Sequence, residues 1–232
     1  MTPIDAIPVL PPHGFIKVLH VAGSDLDIVN AARVSFARES MTLVDADVRL
    51  LGYLLRNRHG TPFEHTFMRF HIKAPIFVMR EWHRHRIGVS INEESARYTQ
   101  LMPEFYLPTG DGWREQIGRP GQYRYVPITD EQKLGDLRAG MLDAYNRAYS
   151  TYERLLNAGV AKEIARAVLP VGTYSSMHWT CNARSLMAFL TLRNAPSAQY
   201  EIRQYAIALE EAFKHSFPHT HAHYVEEGRV AP

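Results

Sequence analysis

The segment Thr66 to Ala74 constrains this chain more than any other. Met68, Phe70 and Ile72 alternate with Arg69, His71 and Lys73. A period of two marks a strand with one face buried and the other in water. Such a strand needs cover for its apolar side, and the rest of the chain offers helices. Val48, Leu51, Leu54 and Leu55 fall near helical spacing between about Val44 and Arg56, and Asp25 to Phe36 reads as another helix. Pro75 stands where a helix can begin, because its missing N–H would be unpaired there. Thr129, with Asp130 and Glu131, opens a long helix ending near Gly159; Leu134, Leu137, Met141, Ala148, Tyr152 and Leu155 are its expected buried stripe. A short helix over 161–168 stops before Pro170, and others run from Asn182 to Arg193 and from about Ala198 to Lys214. Residues 15–22 read as a further strand, and an extended segment reaches Thr180. Strands and helices do not alternate regularly, so the expected class is α+β: a single domain over 1–232, its sheet flanked by long helices. Residues 109–122, rich in Gly and Pro, read as a surface loop excursion.

Composition narrows the function. With 232 residues, 46% apolar and 11% aromatic, the chain can bury one sizeable core. A net charge of +2 falls well short of a protein that coats a polyanion. The single cysteine, Cys181, rules out an internal disulfide and suits a reducing compartment. Met1 to Gly14 holds four prolines and no cation, unlike a signal peptide. No apolar stretch approaches the ~20 residues of a membrane helix. The expectation is a cytoplasmic protein with no membrane partner.

Chemistry concentrates in a few clusters. Arg84, His85, Arg86, Glu93 and Arg97 lie close together, with Ser90, Asn92 and Ser95 between them. Guanidinium forks beside small polar groups suit a ligand that is anionic and rich in hydrogen-bonding edges, such as a nucleotide. A charged, solvated loop is the plain alternative. In residues 182–193 Asn182 is a plausible N-cap, which puts Arg184 in the first turn, where the helix dipole disfavours a cation unless an anion compensates. Arg193 continues the Leu186, Phe189, Leu190 stripe, so its charge is expected to face a partner, although an Arg in a last turn also suits the dipole. In HGTPFEH (59–65), Gly60 and Pro62 make a turn that brings His59 and Thr61 forward. His59, Glu64 and His65 lack the HExxH spacing of a zinc site, so no metal is expected there. His219, His221 and His223 alternate near the end of the sequence, where one extended face would present all three. Cys181 reads as packing, since no His stands near it in sequence. Neither GxGxxG nor GxxxxGK[ST] occurs, so a dinucleotide would bind without the usual glycine-rich cradle.

These residues resemble the flavin-dependent thymidylate synthases. That family is marked by an RHR triplet, seven variable residues and a Ser that opens a Ser-small-Arg-Tyr run; Arg84-His85-Arg86 and Ser95-Ala96-Arg97-Tyr98 match it. Here eight residues separate Arg86 from Ser95. Asn92-Glu93 also match, so the extra residue lies between Ile87 and Ile91 and the loop is expected to bulge there. The likeness covers nearly the whole chain, including AARVSF (31–36), HGTPFEH, KAPIFV (73–78), EFYLP (104–108), residues 158–170 and NARSLM (182–187).

The resemblance implies a homotetramer with FAD at subunit interfaces. It implies conversion of dUMP to dTMP, with 5,10-methylenetetrahydrofolate as carbon donor, NADPH as reductant and no cysteine nucleophile. By motif position, Ser35, Thr61, Arg84, His85, Arg86, Glu93, Asn182 and Arg184 are the implied FAD contacts. Glu81, Arg84, Glu93, Ser95, Ala96, Arg97, Arg166 and Arg193 are the implied dUMP contacts. Glu81, Ala96 and Ala188 depart from the Gln, Gly and Asn often found at those positions. The implied catalytic residues are Arg193 against the pyrimidine, His59 beside the flavin and Ser95 orienting dUMP. Two other readings stay open. A nucleic-acid-binding module built on the Arg/His cluster predicts steep salt dependence. A histidine-metal hydrolase built on His59, His65 and the later histidines predicts stoichiometric zinc.

Overall fold

The computed structural model describes residues 6–232. Strands β1 (Ile7–Pro8) and β2 (Phe15–Ala22) lead into helices α1 (Asp25–Arg33) and α2 (Asp45–Arg56). Next come β3 (Phe67–Pro75), α3 (Ile76–Trp82) and β4 (Val89–Glu93). A hairpin of β5 (Arg114–Ile117) and β6 (Arg124–Pro127) precedes α4 (Glu131–Asn157) and α5 (Lys162–Ala165). Strand β7 (Tyr174–Cys181) is followed by α6 (Ala183–Arg193), α7 (Tyr200–Ser216) and α8 (Pro218–Glu226).

The alternating segment is the middle of an antiparallel sheet of order β1-β2-β3-β7-β4. Ile16, Val18, Met68, Phe70, Ile72, Met177, Trp179 and Cys181 are buried on one face. Register makes this a common face: Phe70 lies opposite both Val18 and Trp179, and Ile72 opposite both Ile16 and Met177. Helices α3, α6 and α7 supply the cover. Trp82 stacks on Phe189 with ring centroids 5.0 Å apart and meets Trp179 edge-on at 5.5 Å. Such aromatic pairs add ~0.5–1.5 kcal/mol each beyond their burial. The α+β architecture with flanking helices is therefore present, and among the described residues no helix is long and apolar enough to cross a membrane.

Several local expectations are corrected. The first helix ends at Arg33; residues 34–36 tighten into a 3-10 turn and Ala37 takes φ +49°, which leaves Phe36 76% exposed. Pro75 closes β3 and caps α3 from outside. Residues 109–122 do lie on the surface, but they carry β5, whose partner strand follows at 124–127. Arg114 pins that hairpin, bonded to the buried Glu201 and set over the Tyr200 ring at 4.8 Å. Asp130, not Thr129, caps α4, accepting from the Lys133 amide at 3.0 Å, because its carboxylate is the stronger acceptor. In α4 only Tyr145 and Tyr152 are buried and Leu137 is exposed, since the helix touches the body chiefly through its second half. Its Tyr145 hydroxyl donates to the Tyr106 carbonyl at 3.0 Å. The three alternating histidines lie on helix α8, begun by Pro218. Alternate positions on a helix point about 200° apart, so no single face presents them. His221 bonds Glu210 instead, and His223 bonds the Val48 carbonyl.

Candidate functional site

Strand pairing decides which motifs meet. Cys181 at the end of β7 lies opposite Met68 near the start of β3 and Val89 at the start of β4. The turn before β3 (59–65), the Arg/His loop before β4 (84–88) and the N-terminus of α6 after β7 therefore converge at one end of the sheet. Two glycines allow the closeness. A Cβ on Gly60 would strike the Arg184 guanidinium, and one on Gly88 would strike the Ser185 hydroxyl and come within 2.9 Å of Asn182 Nδ2. Gly88 also has φ +65°. The bulge expected between Ile87 and Ile91 is absent from β4, whose register against β7 is unbroken; the turn before it is one that Gly88 permits.

Two clefts open at this end. One, of about 600 Å³, is lined by Arg84, His85, Arg86, Asn182, Arg184 and Ala188 among others. Asn182 is the expected N-cap, its side-chain oxygen accepting from the Ser185 amide at 2.8 Å. Arg184 in the first turn has its compensating anion: Nη1 donates to Glu64 Oε1 at 2.6 Å. The second cleft, of about 780 Å³, is mainly apolar and is lined by Ser35, His59, Thr61 and Tyr53. Its Tyr53 ring stacks on His59 with centroids 5.8 Å apart. Its far wall is the loop after α1, held by Asp47. That carboxylate is fully buried and accepts from Arg33, the Ser40 hydroxyl and the Val44 amide. Burial alone would raise its pKa, but those bonds outweigh it and hold the group below the usual carboxylate range.

Arg193 stands in the last turn of α6, half-buried. Its Nε donates to His85 Nε2 at 2.9 Å, its Nη2 to the Glu81 carbonyl at 3.2 Å, and its Nη1 to the Glu81 carboxylate. The expected inward-facing charge therefore has its partner. Since His85 Nε2 accepts, the ring proton sits on Nδ1. Burial first, and Arg193 second, bring the His85 pKa down to about 4, so the ring is neutral at pH 7.

The remaining expected residues follow β4 away from this end, with Glu93 still reaching back to within 3.6 Å of His83, the residue before Arg84. Arg97 reaches Glu163 at 3.1 Å, which ties it to α5 three residues before Arg166. The Ser95 hydroxyl accepts from the Arg97 amide at 3.4 Å, and Ala96 is buried. Glu93, at the end of β4, accepts from the Ser175 hydroxyl at 2.7 Å. The five residues of β4, ~3.3 Å each, stand between the Arg/His loop and the segment that carries Ser95 and Arg97.

Some contributors carry no motif in the sequence. Tyr53 sits on an ordinary amphipathic helix, Glu64 stands in a turn whose spacing suggests only a metal ligand, and Ser185, which donates to the Ile87 carbonyl at 2.9 Å, closes the Arg/His loop onto α6. Cys181 is buried, and desolvation pushes its thiol far above the ordinary range. Among the described residues no three of His, Cys, Asp and Glu are arranged to hold a metal ion.

A sheet end that gathers guanidiniums, a neutral histidine and helix-cap donors around two clefts has the make-up of an α+β enzyme for flat, anionic ligands. Residues 17–219 match the family described as thymidylate synthase complementing protein. The flavin-dependent thymidylate synthase of Streptomyces coelicolor is 48% identical over 231 residues, covering 94% of this chain and 93% of that protein. The enzyme of the same name from Thermotoga neapolitana is 46% identical over 220 residues, covering 95% and 94%. The UMP/dUMP methylase PolB from Streptomyces cacaoi, solved with 5-Br UMP, superposes with a TM-score of 0.85 at 42% identity, covering 94% of this chain and 96% of that one. Solved with 5-Br dUMP, it gives 0.84 at 44%, covering 94% and 97%. The chain belongs to this family of enzymes, the flavin-dependent thymidylate synthases.

Proposed function

We propose that the chain methylates dUMP to dTMP, using FAD, 5,10-methylenetetrahydrofolate and NADPH, in the cytoplasm and as a homotetramer. The observation that carries the reading is Arg193, a guanidinium held rigidly by Glu81 and His85 beside the Arg/His loop. Nη1 and Nη2 each keep one N–H beyond those given to Glu81.

The site suits a flavin nucleotide. Arg84, Arg86, Arg184 and the Asn182 amide supply donors for a pyrophosphate, and Gly60 and Gly88 leave the walls as close as a flat ligand needs. Ser35, Thr61, His85 and Glu93 complete the proposed cofactor set. Bound there, FAD supplies the electrons for reducing the transferred carbon and is itself recharged by NADPH. Everything else falls to side chains. Arg193 stabilises negative charge on the pyrimidine, which substitutes for covalent attack by a thiol. Arg97 and Arg166 neutralise the phosphate, Ser95, Ala96 and Glu81 orient the nucleotide, and Arg84 and Glu93 join the two ligands. His59, stacked on Tyr53, faces the second cleft, where it meets the flavin edge or the folate.

The separation of Arg97 and Arg166 from the Arg/His loop supports an assembly in which one copy completes another's site. Exposed apolar side chains fit the same assembly: Phe36, Met41 at 84% and Ile87 at 91% rim the sheet end that carries the clefts. A dUMP-dependent tritium-release assay with all three co-reactants tests the reading, with UMP in a parallel arm. Release that requires dUMP and FAD is expected. Colourless protein that takes up no FAD and releases no tritium would overturn it.

A further inference from the structure

Residues 229–232 run along α6 as a strap held by polar contacts and by Ala231 packed against the edge of the core. Arg229 Nε donates to Glu210 at 3.0 Å, while its carbonyl lies 2.8 Å from the Thr191 hydroxyl. The Ala231 amide donates to that hydroxyl at 3.2 Å, and the Ala231 carbonyl accepts from Arg58 Nη1 at 2.6 Å. Last, the Pro232 backbone oxygen accepts from Arg184 Nε at 3.1 Å, and Pro232 lines the smaller cleft beside Arg84 and Arg86.

The anchor is strong. Glu210 is 5% exposed and also takes bonds from His221 and from Asn194, the residue after Arg193. Burial would raise its pKa, but those bonds and Arg229 together pull the carboxyl below its usual range. From this anchor the strap reaches two motif stretches at once, the 58–61 turn through Arg58 and α6 through Thr191 and Arg184. Its consequence for Arg184 is geometric. Nε is committed to Pro232, Nη1 to Glu64, and the guanidinium packs against Gly60, which leaves Nη2 without an acceptor among the described residues.

We infer that residues 229–232 are part of the flavin-nucleotide site: the strap positions Arg184 so that its Nη2 edge meets an anionic group of the cofactor. This rests on the flavin reading above. Glu210 and Thr191 are positioning residues in this arrangement, acting through the strap.

FAD titration followed by flavin fluorescence tests it on the full chain, the chain lacking residues 229–232, Arg184→Ala, and the two changes combined. Removal of the strap is expected to weaken FAD binding about tenfold, in line with one charge-assisted hydrogen bond. Arg184→Ala should lose a similar factor, and the combination no more than Arg184→Ala alone, because the two act as a unit. A merely structural strap would instead give losses that multiply. Thr191→Val and Arg229→Ala keep the backbone intact and serve if removal prevents folding; each should weaken binding about threefold. Affinity unchanged in the strap variants, or fully multiplicative losses, overturns the inference while FAD still binds the unaltered chain. Failure of the unaltered chain to bind FAD overturns both this and the flavin reading.

Discussion

Arg193 Nε donates to His85 Nε2 across 2.9 Å, joining the last turn of α6 to the middle of the Arg/His loop. The bond requires His85 to be neutral: a protonated His85 could not accept it, and Arg193 would then be held by Glu81 alone.

Arg193→Ala is expected to cut thymidylate formation about a hundredfold or more while FAD binding survives, because the guanidinium acts on the substrate ring. Tritium release and flavin absorbance, measured on one preparation, separate the two effects. Near-normal turnover would remove Arg193 from the mechanism.

His85 also leaves a mark on pH dependence. Its pKa of about 4 in the folded chain lies below the ordinary value of about 6.5. Between those values the unfolded chain takes up a proton that the folded chain refuses, so stability falls as pH drops from about 6.5 to about 4. Above that window both states are neutral and the contribution vanishes. In His85→Gln, which keeps an acceptor for Arg193, Tm should fall less steeply over this range. Equal slopes in the two proteins would assign the loss to other groups.

Cys181→Ala should stay active. The thiol is buried against Met68 and Val89 of neighbouring strands, and its raised pKa leaves no thiolate at neutral pH. Removing one sulfur atom from the core should cost about 1 kcal/mol in urea denaturation. A folded but inactive variant would reinstate a nucleophile.

Asp47→Asn should destabilise the chain by about 3 kcal/mol, because Arg33 and the start of α2 lose a buried anion that they share. The wall of the larger cleft, residues 33–44, should become more open to proteolysis. Denaturation midpoints within error of the wild type would show that the Asn amide replaces the carboxylate.

Local features were legible in the residues alone. The alternation from Met68 to Lys73 specified a half-buried strand and Asn182 specified a helix start, each because periodicity and capping act within a few positions. The same reasoning failed where a local pattern had two uses. His219, His221 and His223 alternate as a strand would, yet Pro218 starts a helix and Glu210 draws His221 inward. No local pattern tells that Cys181 lies between Met68 and Val89. That pairing alone brings 59–65, 84–88 and 182–184 to one end of the sheet and leaves Arg97 and Arg166 beyond β4. Arg193 meets Glu81, and Arg184 meets Glu64 and Pro232, for the same reason. Hydrogen bonds between segments 48 to 120 residues apart are chosen by the packing of the whole sheet against its helices, and the site exists only once that choice is made.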